Sequence, residues 1–297
     1  MYDVMIIGGG PAGISAAMVL GRCRRKVVLF DTGKPRNRWS RAMNGFITRD
    51  GIDPKEFIKT GRKELEKYDV HQHHVEITKI KYSAEGFIAE DEKGATYQSR
   101  KLLLATGLKD QLPELPGIEE MYGISVHHCP YCDGWESRDK RIAVYGQNRN
   151  GVGLALSLKT WSSHVTLFTD GTNKIPGPDC SLLERNNINV ITRKIARLEG
   201  KKGKLQKVIL ADGHEEKMEV MFFNTGTEQQ SRLGEMLGCE FTSKGVIKTR
   251  KLQATNVKGI FVAGDSARDV QLVIVAAAEG TKAAVAINME LQEENRK

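Results

Sequence analysis

Val4-Met5-Ile6-Ile7-Gly8-Gly9-Gly10-Pro11-Ala12-Gly13 is the stretch whose reading decides the fold. An uninterrupted apolar run reads as a strand buried on both faces, and the small-residue segment Ile14 to Leu20 reads as the helix that follows it. Between them Gly8, Gly10 and Gly13 stand in the spacing G-x-G-x-x-G. Gly8 suits a tight turn, Gly10 lets the backbone approach a pyrophosphate, and Gly13 lets helix pack on strand. Pro11 and Ala12 complete a helix N-terminus whose free N–H groups and dipole favour anions. The next strand, Lys26 to Phe30, ends on Asp31, placed to accept hydrogen bonds from a ribose 2′-OH. Strand, glycines, helix and acid in this order read as a dinucleotide-binding unit.

A second turn of the same kind, Ile142-Ala143-Val144-Tyr145-Gly146-Gln147-Asn148-Arg149-Asn150-Gly151, leads into a helix to about Thr160 and a strand at Val165 to Phe168. Two βαβ units predict an α/β fold with two Rossmann-like, three-layer domains. The alternating segments Val75 to Ile80 and Gly86 to Glu90 predict a small antiparallel sheet. Lys207 to Ala211 and Glu219 to Asn224, flanking Asp212-Gly213, predict another. Turn-forming linkers are expected at Gly107 to Pro113 and near Leu237 to Lys244.

At 297 residues, 40% hydrophobic and 28% charged, the composition is that of a globular protein. No apolar run is long enough to span a bilayer, and no basic leader precedes the first strand, so the expectation is no membrane association and a cytoplasmic location. The net charge of +8 comes from Lys and Arg spread along the chain rather than clustered among aromatics, which argues against nucleic-acid binding. The five cysteines include one close pair, Cys129 and Cys132. In a chain of this class a close pair points to redox chemistry or metal binding rather than a disulfide framework. Histidines 127 and 128 beside the pair raise a zinc site as an alternative. No further ligands stand at zinc spacing, so no metal is expected. Cys23, Cys180 and Cys239 read as small buried hydrophobes or incidental thiols.

The segment His127-His128-Cys129-Pro130-Tyr131-Cys132-Asp133-Gly134 places a Cys-x-x-Cys at the start of a helix, where the dipole and a neighbouring cation lower a thiol pKa. His127 reads as an ordinary strand residue, and His128 as a group that tunes the adjacent thiol. Leu102-Leu103-Leu104-Ala105-Thr106-Gly107 and Gly259-Ile260-Phe261-Val262-Ala263-Gly264-Asp265 are strands ending in Thr-Gly and Gly-Asp. With the N-terminal glycines they resemble the FAD domain of the two-dinucleotide-binding flavoproteins. The Cys-x-x-Cys-Asp-Gly motif resembles that of the low-molecular-weight thioredoxin reductases. Asp31-Thr32-Gly33-Lys34-Pro35-Arg36-Asn37 is similar to a bacterial branch of that family, and the resemblance covers nearly the whole chain.

That resemblance implies a discontinuous FAD domain, 1–112 and 237–297, interrupted by a NAD(P)H-binding-like domain, 113–236, that carries the redox pair. Cys132 faces the flavin as a charge-transfer thiolate, Cys129 attacks the substrate disulfide, and Asp133 manages the thiol proton. Thr106, Gly107, Gly264 and Asp265 join Arg36 and Asn37 as FAD contacts, and Asn44 corresponds to the loop asparagine near the isoalloxazine. Gln271-Leu272-Val273 stands where the family has Arg-Gln-Ala, which makes Gln271 a flavin contact. A homodimer is implied as well.

The second nucleotide site departs from the family. Gly146 and Gly151 are present, but the middle glycine is Asn148. The segment that holds a 2′-phosphate is Thr169-Asp170-Gly171, whose carboxylate opposes that charge. NADPH is therefore expected to be a poor reductant, NADH or a non-nicotinamide donor a better one, unless a basic side chain such as Lys174 holds the phosphate. Four functions compete: a reductase of a thioredoxin-like protein; a dithiol oxidase of the gliotoxin-oxidase type acting on a small disulfide or dithiol substrate; a disulfide reductase fed by ferredoxin or another flavoprotein; and a flavin-binding redox sensor. The intact Cys-Cys-Asp set argues against the sensor.

Overall fold

A computed structural model describes residues 1–172, 175–268 and 270–296. The chain divides into two compact units: Met1–Arg38 with Gly45–Lys109 and Thr227–Lys297, and Trp39–Asn44 with Asp110–Gly226. This is the two-domain Rossmann-type architecture that the paired βαβ signals predict.

The first unit is built on a seven-stranded sheet. Tyr2–Ile7 lies at its centre, parallel to Val27–Phe30 on one side and to Thr96–Leu104 on the other. Val70–His73 extends one edge, and Ile260–Val262 pairs with the C-terminal half of Thr96–Leu104. Because successive side chains on a strand point to opposite faces, Val4 and Ile6 enter one core, while Met5 and Ile7 enter the other. The first core holds the helices Pro11–Arg22 and Val273–Glu294. Their small residues permit close contact: a Cβ on Gly280 would lie 2.0 Å from the Ala12 carbonyl oxygen.

The antiparallel segments Ile77–Ser83 and Gly86–Asp91 do pair, but not as a separate sheet. Gly86–Asp91 pairs with the N-terminal half of Thr96–Leu104, whose length lets it serve both neighbours and join the pairs into one sheet.

The second unit holds a five-stranded parallel sheet. Ile142–Tyr145 lies between Val165–Phe168 and Val220–Phe223, and Val126–His127 pairs with the last of these. One expectation is corrected here. Glu219 to Asn224 does not return alongside Lys204–Leu210. That strand pairs instead with Ile195–Lys201 and Glu215–Lys217. Residues 220–223 are all buried and form an interior parallel strand, as an unbroken Val-Met-Phe-Phe run should. The expected boundary at 236 moves as well. Thr227 to Met236 belongs with the first unit, where Leu233 packs into the core of Met5, Phe30 and Phe261's neighbour Val262. No helix among the described residues is long and apolar enough to cross a membrane.

Candidate active site

The first unit supplies a cradle for a dinucleotide. Gly8 has φ +110°, a backbone that L side chains rarely adopt, and a Cβ there would lie 2.1 Å from the Ala105 carbonyl oxygen. A Cβ on Gly13 would lie 1.8 Å from the Gly8 carbonyl oxygen, so helix and turn are in contact. Gly10 differs: a Cβ there would meet nothing within 4 Å. No side chain caps this helix and Pro11 opens it, so its first-turn N–H groups have no side-chain partner. Open space before free N–H groups fits a pyrophosphate.

Asp31 follows Val27–Phe30 as expected, and it is joined by a residue that the sequence did not reveal. Arg62, on the helix Pro54–Leu65, donates to Asp31 Oδ2, and its buried Nε has no partner among the described residues. An orphaned donor beside the ribose-directed carboxylate fits a polar ligand completing the site. Nothing local in the sequence marks Arg62, because only the fold brings it to Asp31.

The other expected FAD residues gather near Asp265. Arg36 Nη1 donates to Asp265 Oδ2 at 3.0 Å and to Gln271 Oε1 at 2.5 Å. Asn37 lies in the same short helical turn as Arg36. Ser266 Oγ accepts from the Gly107 N–H at 2.6 Å and lies 3.2 Å from Thr106 Oγ1, tying the Thr-Gly and Gly-Asp turns together. Glu279, buried on the last helix, accepts from the Gly264 N–H at 3.0 Å and pairs with Arg268. A charged residue within the apolar run Val273 to Ala278 and beyond is the sequence signal that could have found it. Buried carboxylates need such partners.

The second unit carries the redox turn. Cys129 and Cys132 form a disulfide, with Cα atoms 5.3 Å apart, across the N-terminus of the short helix Pro130–Asp133. Cys129 Sγ also accepts from the Cys132 N–H at 3.2 Å. Asn44, expected at the flavin, donates from Nδ2 to the Cys132 carbonyl at 3.0 Å. Gly134 is required sterically, since a Cβ would lie 2.6 Å from the Trp161 ring. Tyr131 and Trp135 are 76% and 65% exposed, so two aromatic rings flank the disulfide on the surface. Tyr131 meets Trp161 edge-on, and the Arg138 guanidinium lies 4.4 Å from the Trp135 ring.

Asp133 is mostly buried, and that burial, with help from Glu136, pushes its carboxyl up to about 7. The two histidines stand in different surroundings. His127, read as ordinary, places Nδ1 3.4 Å from Asp133 Oδ1. Burial, then the neighbouring His128 and Lys140, depress its pKa to about 3, so the ring is neutral. His128 lies instead beside Tyr122 and Asp110, with Nδ1 3.3 Å from the Tyr122 hydroxyl and 3.7 Å from Asp110 Oδ2. The strand ends at His127 and the chain bends at His128, which sends the two rings to different neighbours. No group of three or more His, Cys, Asp or Glu among the described residues could hold a metal ion.

The second glycine turn is closed on itself. A Cβ on Gly146 would lie 2.7 Å from the Gly151 Cα, and one on Gly151 would lie 2.5 Å from the Gly146 carbonyl oxygen. Asp170, expected to read a ribose or repel a phosphate, has φ +50° and is held by the protein itself. Its Oδ2 accepts from the Tyr145 hydroxyl at 3.1 Å and its Oδ1 from the Ile195 N–H at 2.8 Å. The Asn148 side chain and Lys174 lie outside the described residues.

A flavin-type cradle in one Rossmann unit and a disulfide followed by a raised-pKa carboxyl in the other define a flavin-linked dithiol–disulfide oxidoreductase. Comparison with known proteins agrees. The model of the family described as pyridine nucleotide-disulphide oxidoreductase matches residues 2–280, and the chain belongs to that family. It is 33% identical to the "Probable thioredoxin reductase" of Arthroderma benhamiae, over 99% of this chain and 81% of that one. It is 32% identical to "Thioredoxin reductase tcpT" of Claviceps purpurea, over 90% of this chain and 87% of the relative. The solved oxidoreductase from Agrobacterium tumefaciens superposes with a TM-score of 0.91 at 34% identity, covering 98% of both chains. The protein is an FAD-dependent thiol–disulfide oxidoreductase of the thioredoxin-reductase-like kind, with Cys129–Cys132 as its active-site disulfide.

Proposed function

We propose that this enzyme reduces the disulfide of a thioredoxin-like protein. The Asp133 carboxyl, three-quarters or more buried beside the Cys pair and held up to about 7, carries the reading. Gly8, Gly10, Gly13, Asp31 and Asp265 would hold FAD, which would supply the electron pair needed to open Cys129–Cys132 to a dithiol. Cys129, whose flank carries Tyr131 and Trp135, attacks one sulfur of the partner disulfide, and a mixed disulfide forms as the partner S–S bond breaks. The leaving thiolate takes the Asp133 proton. Cys132 then attacks Cys129 Sγ, which restores the enzyme disulfide and releases the second partner thiol. A carboxyl titrating near the working pH suits this proton transfer. The exposed aromatics suit docking of a folded partner rather than a small dithiol.

We further infer that Asp170 does not set the choice between NADH and NADPH. Both of its oxygens accept from Tyr145 and Ile195, which fastens the carboxylate within its own sheet and takes up the lone pairs that a ribose 2′-OH would use. The test is anaerobic. Dithionite-reduced holoenzyme is mixed with oxidised thioredoxin, and flavin reoxidation is followed alongside thiol release. Stoichiometric dithiol formation supports the reading. Reoxidation by oxygen alone, with thioredoxin inert and small dithiols consumed, overturns it in favour of a dithiol oxidase.

A further inference from the structure

The two buried groups behind the redox turn form a pair that the exchange steps above do not use. His127 is only 8% exposed. Its ring packs on Phe222, centroids 5.4 Å apart, in the register Phe222↔His127 of the adjacent strand. Held on that face, it presents Nδ1 to Asp133 Oδ1 at 3.4 Å. The Ile124 backbone also acts on this ring. A neutral imidazole has one N–H and one nitrogen that offers a lone pair. A carboxyl that keeps its proton needs an acceptor, and the nitrogen facing it must then offer a lone pair.

We propose that His127 is a positioning residue for Asp133: its Nδ1 lone pair receives the Asp133 carboxyl proton and holds that carboxyl in the acid form beside Cys129 and Cys132. The proposal rests on the reading of Asp133 as the proton donor in disulfide exchange. No proton is lost to the ring. The hydrogen bond is to the neutral carboxyl and disfavours ionisation. When the partner's leaving thiolate forms, the proton passes from Asp133 to that sulfur. The carboxylate left behind takes up the proton that Cys132 gives up as its sulfur closes on Cys129 Sγ, and the second partner thiolate is protonated from water. Electrons move only between the sulfurs, two per disulfide reduced.

The other charges around the pair do not supply this function. Glu136 raises Asp133 through space, and His128 and Lys140 act on the His127 ring, which they keep uncharged. Among the described residues, none of them makes a hydrogen bond or close contact with the Asp133 carboxyl. His127 is the group that faces it from the neighbouring strand.

The distinguishing experiment uses two disulfides. An aliphatic disulfide such as hydroxyethyl disulfide releases a basic thiolate that needs a proton. The aromatic 5,5′-dithiobis(2-nitrobenzoate) releases a thiolate that does not. Dithionite-reduced holoenzyme is mixed with each in single-turnover mode from pH 5.5 to 9. The wild-type rate with the aliphatic disulfide is expected to fall as pH rises through about 7, where burial places the Asp133 carboxyl. In His127→Phe that fall should move to lower pH by about one unit, the worth of one hydrogen bond. The aliphatic-to-aromatic rate ratio at pH 7 should drop about tenfold by the same measure. Phenylalanine fills the ring space and, by removing polar surroundings, would by itself push the carboxyl upward, so a downward move is diagnostic. His127→Gln, whose Oε1 can accept, should recover most of the wild-type profile. A purely structural defect lowers both rates together and leaves the ratio unchanged. A His127→Phe profile that is unmoved, or moved upward, overturns the proposal. Should that variant fail to fold, the infrared carboxyl band assigned by Asp133→Asn is titrated in wild type and His127→Gln. It should be lost within about half a unit of the same pH in both, and a larger upward displacement in the glutamine variant overturns the proposal. If Asp133→Asn itself keeps the wild-type aliphatic profile, it is the Asp133 reading that fails, independently of His127.

Discussion

The turns at Gly8–Gly13 and Gly146–Gly151 begin alike, each leaving a buried parallel strand for a helix, yet they are built for different ends. At the first, Gly10 faces open space before an uncapped helix N-terminus, and Asp31 is met by Arg62 with an orphaned nitrogen. At the second, Gly146 and Gly151 are occupied with each other, and the acid at the following strand end is spent on Tyr145 and Ile195. A glycine can therefore mark either a ligand's place or a packing contact, and only the surroundings of its missing Cβ tell which. The same holds for the acid after the second strand: Asp31 is met by Arg62, whose Nε still lacks a partner among the described residues, whereas Asp170 fastens its own sheet.

The largest expected effect concerns the chemistry that both units serve. Cys129→Ser or Cys132→Ser should lower single-turnover disulfide reduction at least about a thousandfold while FAD remains bound, since one remaining thiol cannot close the enzyme disulfide that releases the partner. Rapid-quench thiol counting checks this, and a variant retaining a tenth of the activity would remove the pair from the reaction.

The comparison of the turns is broken most directly by filling each one. Gly10→Asp puts a carboxylate where the pyrophosphate fits, and FAD affinity, read by flavin fluorescence on dilution, should weaken about a hundredfold or more with the melting temperature of the apoprotein little changed. Gly151→Ala should do the reverse: FAD stays, and stability falls by about 1–3 kcal/mol because a methyl group meets the Gly146 carbonyl. Equal FAD loss from both substitutions would erase the distinction between the two turns.

A smaller effect is expected from pH. The Asp133 carboxyl is raised on folding, from 3.8 to about 7, so the stability it contributes is present below about pH 4 and lost as pH rises toward 7. His127 is depressed from 6.5 to about 3, so its contribution is present above 6.5 and lost as pH falls toward 3. Between these limits the two slopes oppose each other. Asp133→Asn removes one of them and should stabilise the oxidised protein at pH 8 by on the order of 2 kcal/mol, the full shift discounted for partial solvent access. Urea titrations at pH 5 and 8 measure it, and no gain at pH 8 means that Asp133 ionises freely.

The smallest change is expected at Asp170. Asp170→Asn should alter the ratio of flavin reduction rates with NADH and NADPH by less than about threefold, because the carboxylate already serves two internal donors. A tenfold gain for NADPH would return Asp170 to the nucleotide site.

Much of this protein was legible in its sequence, because the determinants are local. Apolar runs such as Val4 to Ile7 and Leu102 to Leu104 can be satisfied only inside a sheet. The glycine spacing fixes a strand–turn–helix, and two intervening residues let Cys129 and Cys132 close a disulfide. What the sequence left undecided involves partners distant along the chain. Arg62 reaches Asp31 across 31 positions, and Tyr145 and Ile195 each claim Asp170 from 25 positions away. Glu219 to Asn224 looked like a hairpin partner until the sheet offered it an interior parallel place. Of two adjacent histidines, the first closes a strand and faces Asp133, while the second, at the bend that follows, faces Tyr122 and Asp110. Composition and spacing set which groups are present and the backbone shape each segment prefers. Which donor meets which acceptor is decided by burial, where every polar group removed from water must find a partner in the finished fold.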